Sequence, residues 1–167
     1  MILWFVLLGI TTGLRSMTAL AVLCWFAWLR LLPQAGWAHW AGSLAAVVLL
    51  TLAAAGEYVG DTLPQAPNRI APLGLTARFV LGALSGALAA QSLFEPVAGG
   101  VIFASIGAAI GAFGGFRLRI FWSKALGRDL PVALLESAIA LGLAVLACWQ
   151  LHQFLLIIQQ GLPSGGQ

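Results

Sequence analysis

The chain alternates long apolar stretches with short polar breaks, and the stretches are of helical rather than strand length. Four of them, at 38–58, 74–94, 97–116 and 131–158, meet the requirement of about 20 residues for a helix that crosses a bilayer core. The opening stretch, 1–32, is different. As one helix it would measure about 48 Å, too long for a single span without a steep tilt. The sequence "GLRS" at 13–16 interrupts it. Gly13 weakens a helix, and Ser16 can cap a new one. The stretch therefore reads either as one long broken span or as a hairpin of two short helices, 2–14 and 17–32. The first of those helices would reach only about 21 Å. The pattern predicts an all-α, polytopic membrane fold, a compact bundle of five to six transmembrane segments.

Composition supports this class. The 167 residues are 61% hydrophobic and 8% charged, with a mean hydropathy of +1.00, whereas soluble domains carry about 25% charged residues. A single integral-membrane domain over 1–160, with a short polar tail at 161–167, is expected. The net charge of +3 comes without a basic run interleaved with aromatics, so nucleic acid is set aside as a partner. No Lys or Arg precedes the first apolar stretch, so it reads as a retained helix rather than a signal peptide. Cys24 and Cys148 lie far apart inside apolar stretches and read as small packing residues. His39 and His152, close to tryptophans, read as interfacial.

Charge placement separates the two topologies. With six segments and the loop 117–130 in the cytoplasm, seven of the eight basic residues share one side and only Arg30 is left outside, as the positive-inside rule favours. Both termini are then outside. The five-span alternative puts the N-terminus inside and strands Arg15 within the first span, at about 2.5–3.5 kcal/mol even on the lenient insertion scale. Trp4, Trp25, Trp28, Trp37, Trp40 and Trp149 fall toward the outer side and Trp122 toward the inner.

Glycines recur four apart at Gly9/Gly13, Gly82/Gly86 and Gly107/Gly111/Gly115. Membrane helices associate by close backbone packing, which such Gly-x-x-x-Gly rows allow. They serve either the bundle itself or a homo-oligomer. The third row implies that Gly111→Leu is damaging and Ala112→Leu better tolerated. Two rows end alike, "GITTGLR" at 9–15 and "GAFGGFR" at 111–117. Each arginine is expected to end its helix at the same membrane face.

Acids follow the same geography. Glu57 and Asp61 close the third segment, and Glu136 lies in the first turns of the last. With Arg15, Arg78 and Arg117 they are expected to gather at one level, with Arg15, Glu57 and Arg78 at the centre. The stretch "DTLPQAPNRIAP" at 61–72 is held out of helix by its prolines and brings Arg69 to the mouth. Glu95 and Asp129 read as plain loop residues. Ionisable groups at membrane depth either pair with one another or face water. Paired, this cluster ties helix ends together. Wet, it is a vestibule whose excess positive charge favours an anionic small molecule or a lipid headgroup.

Three functions follow. One is a small transporter or channel component handling a small or anionic ligand at that vestibule. Another is a structural or assembly protein with no ligand. The third is a membrane enzyme on lipid phosphate headgroups, with Mg²⁺ at Glu57 and Asp61 and a phosphate clamp of Arg15, Arg69 and Arg78. No nucleophile, base and orienting group occur together, so no catalytic residue and no cofactor are assigned.

The segments "GLRSMTALAVLCWFA", "GEYVGDTLPQAPNRIAP", "ARFVLGALSGAL" and "GAAIGAFGGFRLR" resemble a family of small bacterial integral-membrane proteins catalogued as domain of unknown function 4126. The resemblance covers nearly the whole chain. It implies a shared helical fold in the bacterial inner (cytoplasmic) membrane and no particular activity. Ser137 follows Glu136 here, where members of that family tend to carry a second acid.

The charge asymmetry generates a first expected outcome. A reporter active only in the cytoplasm, fused ahead of Met1, is silent. A strong signal from that fusion returns the chain to five spans.

Overall fold

A computed structural model of the protein describes residues 1–60, 72–126 and 129–161. Among the described residues the chain is all-helical. The elements are α1 (Ile2–Leu14), α2 (Thr18–Trp28), a 3₁₀ helix (Gly36–Gly42), α3 (Leu44–Gly60), α4 (Pro72–Ser92), α5 (Val97–Leu126) and α6 (Asp129–Gly161). Two stretches, Val97–Trp122 and Pro131–Gln160, are long and apolar enough to cross a membrane. The 3₁₀ helix and α3 qualify as a third only if taken together as one span bent by 65°.

The short first helix is the centre of the bundle. It packs against α4, α5 and α6 and buries Phe5, Leu8, Gly9, Thr11, Thr12 and Gly13. α2 packs on α3 and α6 and exposes only Trp25 and Trp28. Buried hydroxyls of α1 and α4 are satisfied within their own helices. Thr12 donates to the Gly9 carbonyl at 2.7 Å and Ser85 to Gly82 at 2.8 Å. That leaves the facing surfaces smooth enough for backbone contact.

The closest contact joins α1 to α5, and it is reciprocal. A methyl group on Gly9 would strike the Ala104 carbonyl, and one on Gly107 the Val6 carbonyl; Gly13 meets Ala108 and Gly111 meets Ile10 in the same way. Residue numbers rise together along both helices, so they run parallel. The contacts alternate between two offsets, 95 for Gly9 with Ala104 and Gly13 with Ala108, and 101 for Val6 with Gly107 and Ile10 with Gly111. α4 runs antiparallel to α5, with Gly86 against Gly100 and Gly82 against Ala108. α2 follows α6, since Arg15 reaches Ala133 and Leu31 meets His152. α6 returns along α5, so α1 and α2 run in opposite directions.

Several boundaries differ from the apolar pattern. The stretch 38–58 is not one helix. Gly42 ends a 3₁₀ turn, Ser43 is extended, and the Ser43 hydroxyl accepts the Ala46 amide at 3.1 Å to start α3. α2 stops short of residue 32 because Arg30 turns left-handed (φ 60°) and the Leu31 amide closes on the Phe26 carbonyl at 2.9 Å, a Schellman-type stop. α5 does not end at 116. "RLRIFWSKAL" contains no glycine or proline, so the helix continues to Leu126 and Arg117 does not terminate it. Asp129 opens α6 rather than lying in a loop. α4 forms as expected, but its arginine and its Gln91 dilute its apolar character, and it is not among the candidate spans.

The outer surfaces of α3, α5 and α6 stay apolar, with Leu49, Leu52, Ile102, Ile110, Leu135, Ile139 and Ile157 exposed. Such a surface would be an association hazard in water and is compatible with lipid contact.

Ala112, expected to sit off the contact face, is itself only 2% exposed and lies against Gly13. The discriminating pair is therefore Gly111 and Gly114, because a methyl on Gly114 meets open space. Gly111→Ala is expected to cost about 1–3 kcal/mol by overpacking. Gly114→Ala is expected to be neutral or to stabilise by up to about 1 kcal/mol through helix propensity. Thermal unfolding in detergent checks the ordering, and equal midpoints would remove the close-contact account.

Candidate functional site

The break between α1 and α2 exposes the ends of two helices inside the bundle. Four amides at the start of α2 and four carbonyls at the end of α1 need partners from outside their own helices. Ser16 was expected to cap α2 with its side chain. No side-chain cap forms there, and the N-cap position is Met17. The acceptor comes instead from α3: the Glu57 carboxylate takes the Ser16 amide on Oε1 at 2.7 Å and the Met17 amide on Oε2 at 2.9 Å. A carboxylate at a helix N-terminus also complements the helix dipole.

Arg15, the residue just before, is 0% exposed. Its Nη2 donates to the Ala133 carbonyl of α6 at 3.0 Å, a carbonyl that also accepts the Ser137 hydroxyl at 2.8 Å. The guanidinium lies over the Tyr58 ring, 5.4 Å from its centroid, a cation–π distance. The Tyr58 hydroxyl shares a 2.9 Å hydrogen bond with Thr18. One corner thus ties α1, α2, α3 and α6 together through Arg15, Glu57, Tyr58 and Ala133.

The other expected site residues are distributed around it. Arg78 is 6% exposed and sits one turn before Gly82, which faces Thr12, so its Cα is level with the corner. Glu136 approaches from α6: its Oε1 lies 3.4 Å from where a methyl on Gly115 would stand, beside Leu14. Arg117 is exposed on α5. Asp61 and Arg69, with the proline-rich stretch that carries Arg69, lie outside the described residues. Among the described residues no three His, Cys, Asp or Glu gather in a metal-holding group.

Arg15 and Arg117 end up in different places because the repeat that matters geometrically is not the one the eye picks out. The packing contacts, offset by 95 and 101, centre on 98 and set Gly13 beside Gly111. The matching heptapeptides at 9–15 and 111–117 are out of that register by one turn, which carries Arg117 past the contact.

Next to the corner, between the end of α1, α5 and the start of α6, lies a half-open groove of about 400 Å³. Leu14, Leu118, Val132, Leu135 and Ile139 make its walls apolar. Gly115, Arg119, Trp122, Pro131 and Glu136 complete its lining, whose exposed surface is almost wholly apolar. Sequence reasoning did not pick out Tyr58 or Arg119, and named Ser137 only as the residue after Glu136. Tyr58 is the only tyrosine of the chain and directly follows Glu57, a signal that was available. Arg119 was taken for a loop charge and is in fact a helical residue two positions from Arg117. No family model, curated protein or solved structure matches the chain.

The corner carries a graded expectation. Glu57→Ala strands two amides, each at about 1–3 kcal/mol when buried, and is expected to destabilise the protein by several kcal/mol. Tyr58→Phe keeps the ring beneath Arg15 and loses one hydrogen bond, about 1 kcal/mol. Thermal unfolding in detergent should rank Glu57→Ala well below Tyr58→Phe, and the reverse order would dismiss the capping role.

Proposed function

We propose that the chain is a small multi-pass protein of the bacterial cytoplasmic membrane that binds an amphiphilic ligand in the groove between α5 and α6. The opposed directions of α1 and α2 support the hairpin reading of 1–32. With it come six segments, an outside N-terminus and small-residue packing as the force that holds the bundle. The same reading takes the chain as a relative of the domain of unknown function 4126 family.

One observation carries the ligand reading. The groove has the volume of ordinary ligand sites, about 300–1,000 Å³, and its exposed lining is almost entirely apolar. That is the surface that the oily end of an amphiphile requires. Transport of such a ligand would make the protein a transporter component, and binding alone is the narrower claim.

The charged corner supports a different role for the other acids and bases. Both Glu57 oxygens already hold backbone amides, so this carboxylate is spent on structure rather than offered to Mg²⁺. An enzyme acting on phosphate headgroups loses its metal ligand by that argument. A second reading, a scaffold with no ligand, is favoured by the complete burial of Arg15.

Native mass spectrometry after detergent exchange separates the two. One lipid-sized adduct per chain is expected, and the groove-filling pair Leu118→Phe/Leu135→Phe is expected to lose it while staying folded. A folded parent protein without any adduct would leave the scaffold.

A further inference from the structure

The 3₁₀ helix Gly36–Gly42 sorts its side chains by chemistry. With 3.0 residues per turn, positions three apart eclipse one another, so "GWAHWAG" has three edges. Ala38 and Ala41 form one and are buried, while Trp37 and Trp40 form the second and are 50% and 40% exposed. His39 is exposed on the third. Two observations keep the segment out of hydrocarbon. It departs from the direction of α3 by 65°, so beside a crossing α3 it runs nearer the membrane plane than the normal. No side chain caps its first amides, and unsatisfied backbone donors are costly in a bilayer core. Its level agrees. Ser43 and Glu57 stand about 21 Å apart along α3. Glu57 is abreast of Ser16 and Gly13 of Gly111 on α5, which leaves about 6 Å to the level of Arg117. The band between the 3₁₀ helix and the exposed Arg117 is thus about 27 Å deep, close to the thickness of a hydrocarbon core. Trp28, in the last turn of α2, and Trp149, one turn before the His152 that bonds Leu31, are half-exposed at the same end.

Resting on the membrane reading above, we propose that the 3₁₀ helix is an in-plane anchor docked on the headgroup zone of the leaflet opposite Arg117, with Trp37 and Trp40 turned to the lipid and His39 to the water. Indole rings gather at that depth because they join an apolar body to one N–H donor. The lipid surface is the occupant because the exposed edge runs on into the exposed Leu44, Val48 and Leu49 of α3, the apolar flank of the bundle. α3 alone, 17 residues and about 25 Å long, then makes the crossing. The bend at Ser43 is where the chain leaves the hydrocarbon.

The test places a spin label at one position at a time in the full-length chain, through Trp37→Cys, His39→Cys or Leu52→Cys, in vesicles of phosphatidylethanolamine and phosphatidylglycerol. All three positions are exposed, so none of the substitutions opens a cavity in the core. The native Cys24 and Cys148 have no exposed surface, so the label attaches at the introduced thiol. Depth is read from the label's accessibility to oxygen against that to a water-soluble nickel chelate. The label at 39 is expected in water and the label at 37 at headgroup level. The label at 52 is expected in the hydrocarbon, about 13 Å deeper than Ser43. A label at 37 as deep as the one at 52 makes the segment part of the span. Labels at 37 and 39 equally open to nickel place it in water. Either result overturns the anchor and leaves the membrane reading standing, whereas a label at 52 open to nickel overturns both.

Discussion

A buried arginine at a helix break is the constraint from which the rest of the arrangement follows. α1 and α2 are 13 and 11 residues long, about 20 and 17 Å. Neither covers a bilayer core, so their adjoining ends fall inside the protein. An unpartnered backbone group in an apolar setting costs several kcal/mol. Polar groups must therefore be carried to the break, and they need partners that apolar neighbours cannot supply. Glu57 answers the amides of Ser16 and Met17, and Arg15 takes a carbonyl of α6. For the carboxylate to arrive, α3 must run antiparallel beside α2. For the carbonyl to arrive, the start of α6 must lie at the same level. The directions of the helices are thus coupled through one corner.

The second constraint is distance between backbones. Lipid-facing helices gain little by burying apolar side chains against one another, so close approach has to supply the attraction. The α1–α5 contact achieves it twice over, each helix setting its glycines on the other's carbonyls. α1 runs parallel to α5 and opposite to α2, so the stretch 1–32 packs as two short helices and not as one.

Helix existence was readable from apolar length, and the break at Arg15 from "GLRS". Three things were not. The apolar run at 38–58 hid a 65° bend, because hydropathy is blind to the Gly42–Ser43 pair that ends one helix and caps the next. α5 was cut at 116 because the cut followed bilayer thickness, whereas a helix stops for want of hydrogen bonds or at a breaker residue. The capping of α2 was assigned to the nearest hydroxyl, Ser16, when the acceptor came from 41 residues away. Local patterns name the residues able to cap but not which of them folding brings there. For the site, Arg15, Glu57 and Glu136 were legible as charges in apolar surroundings. Arg119 was not, since its significance lies only in sharing a groove with Glu136.

The charges therefore divide by what surrounds them. Glu57 has both oxygens committed to backbone amides, and Arg15 is sealed beneath a tyrosine ring with no exposed surface. A ligand reaching either would have to displace a helix end. Glu136 and Arg119 line a half-open groove at nearly the same level of the bundle, but its exposed surface is almost wholly apolar, so what approaches from the side meets hydrocarbon rather than charge. The distinction matters more than the number of charges. A vestibule built from the whole cluster would select an anion by its excess of arginines. On the proposed reading, a molecule dissolved in the bilayer would enter the apolar groove from the side, without displacing a helix end.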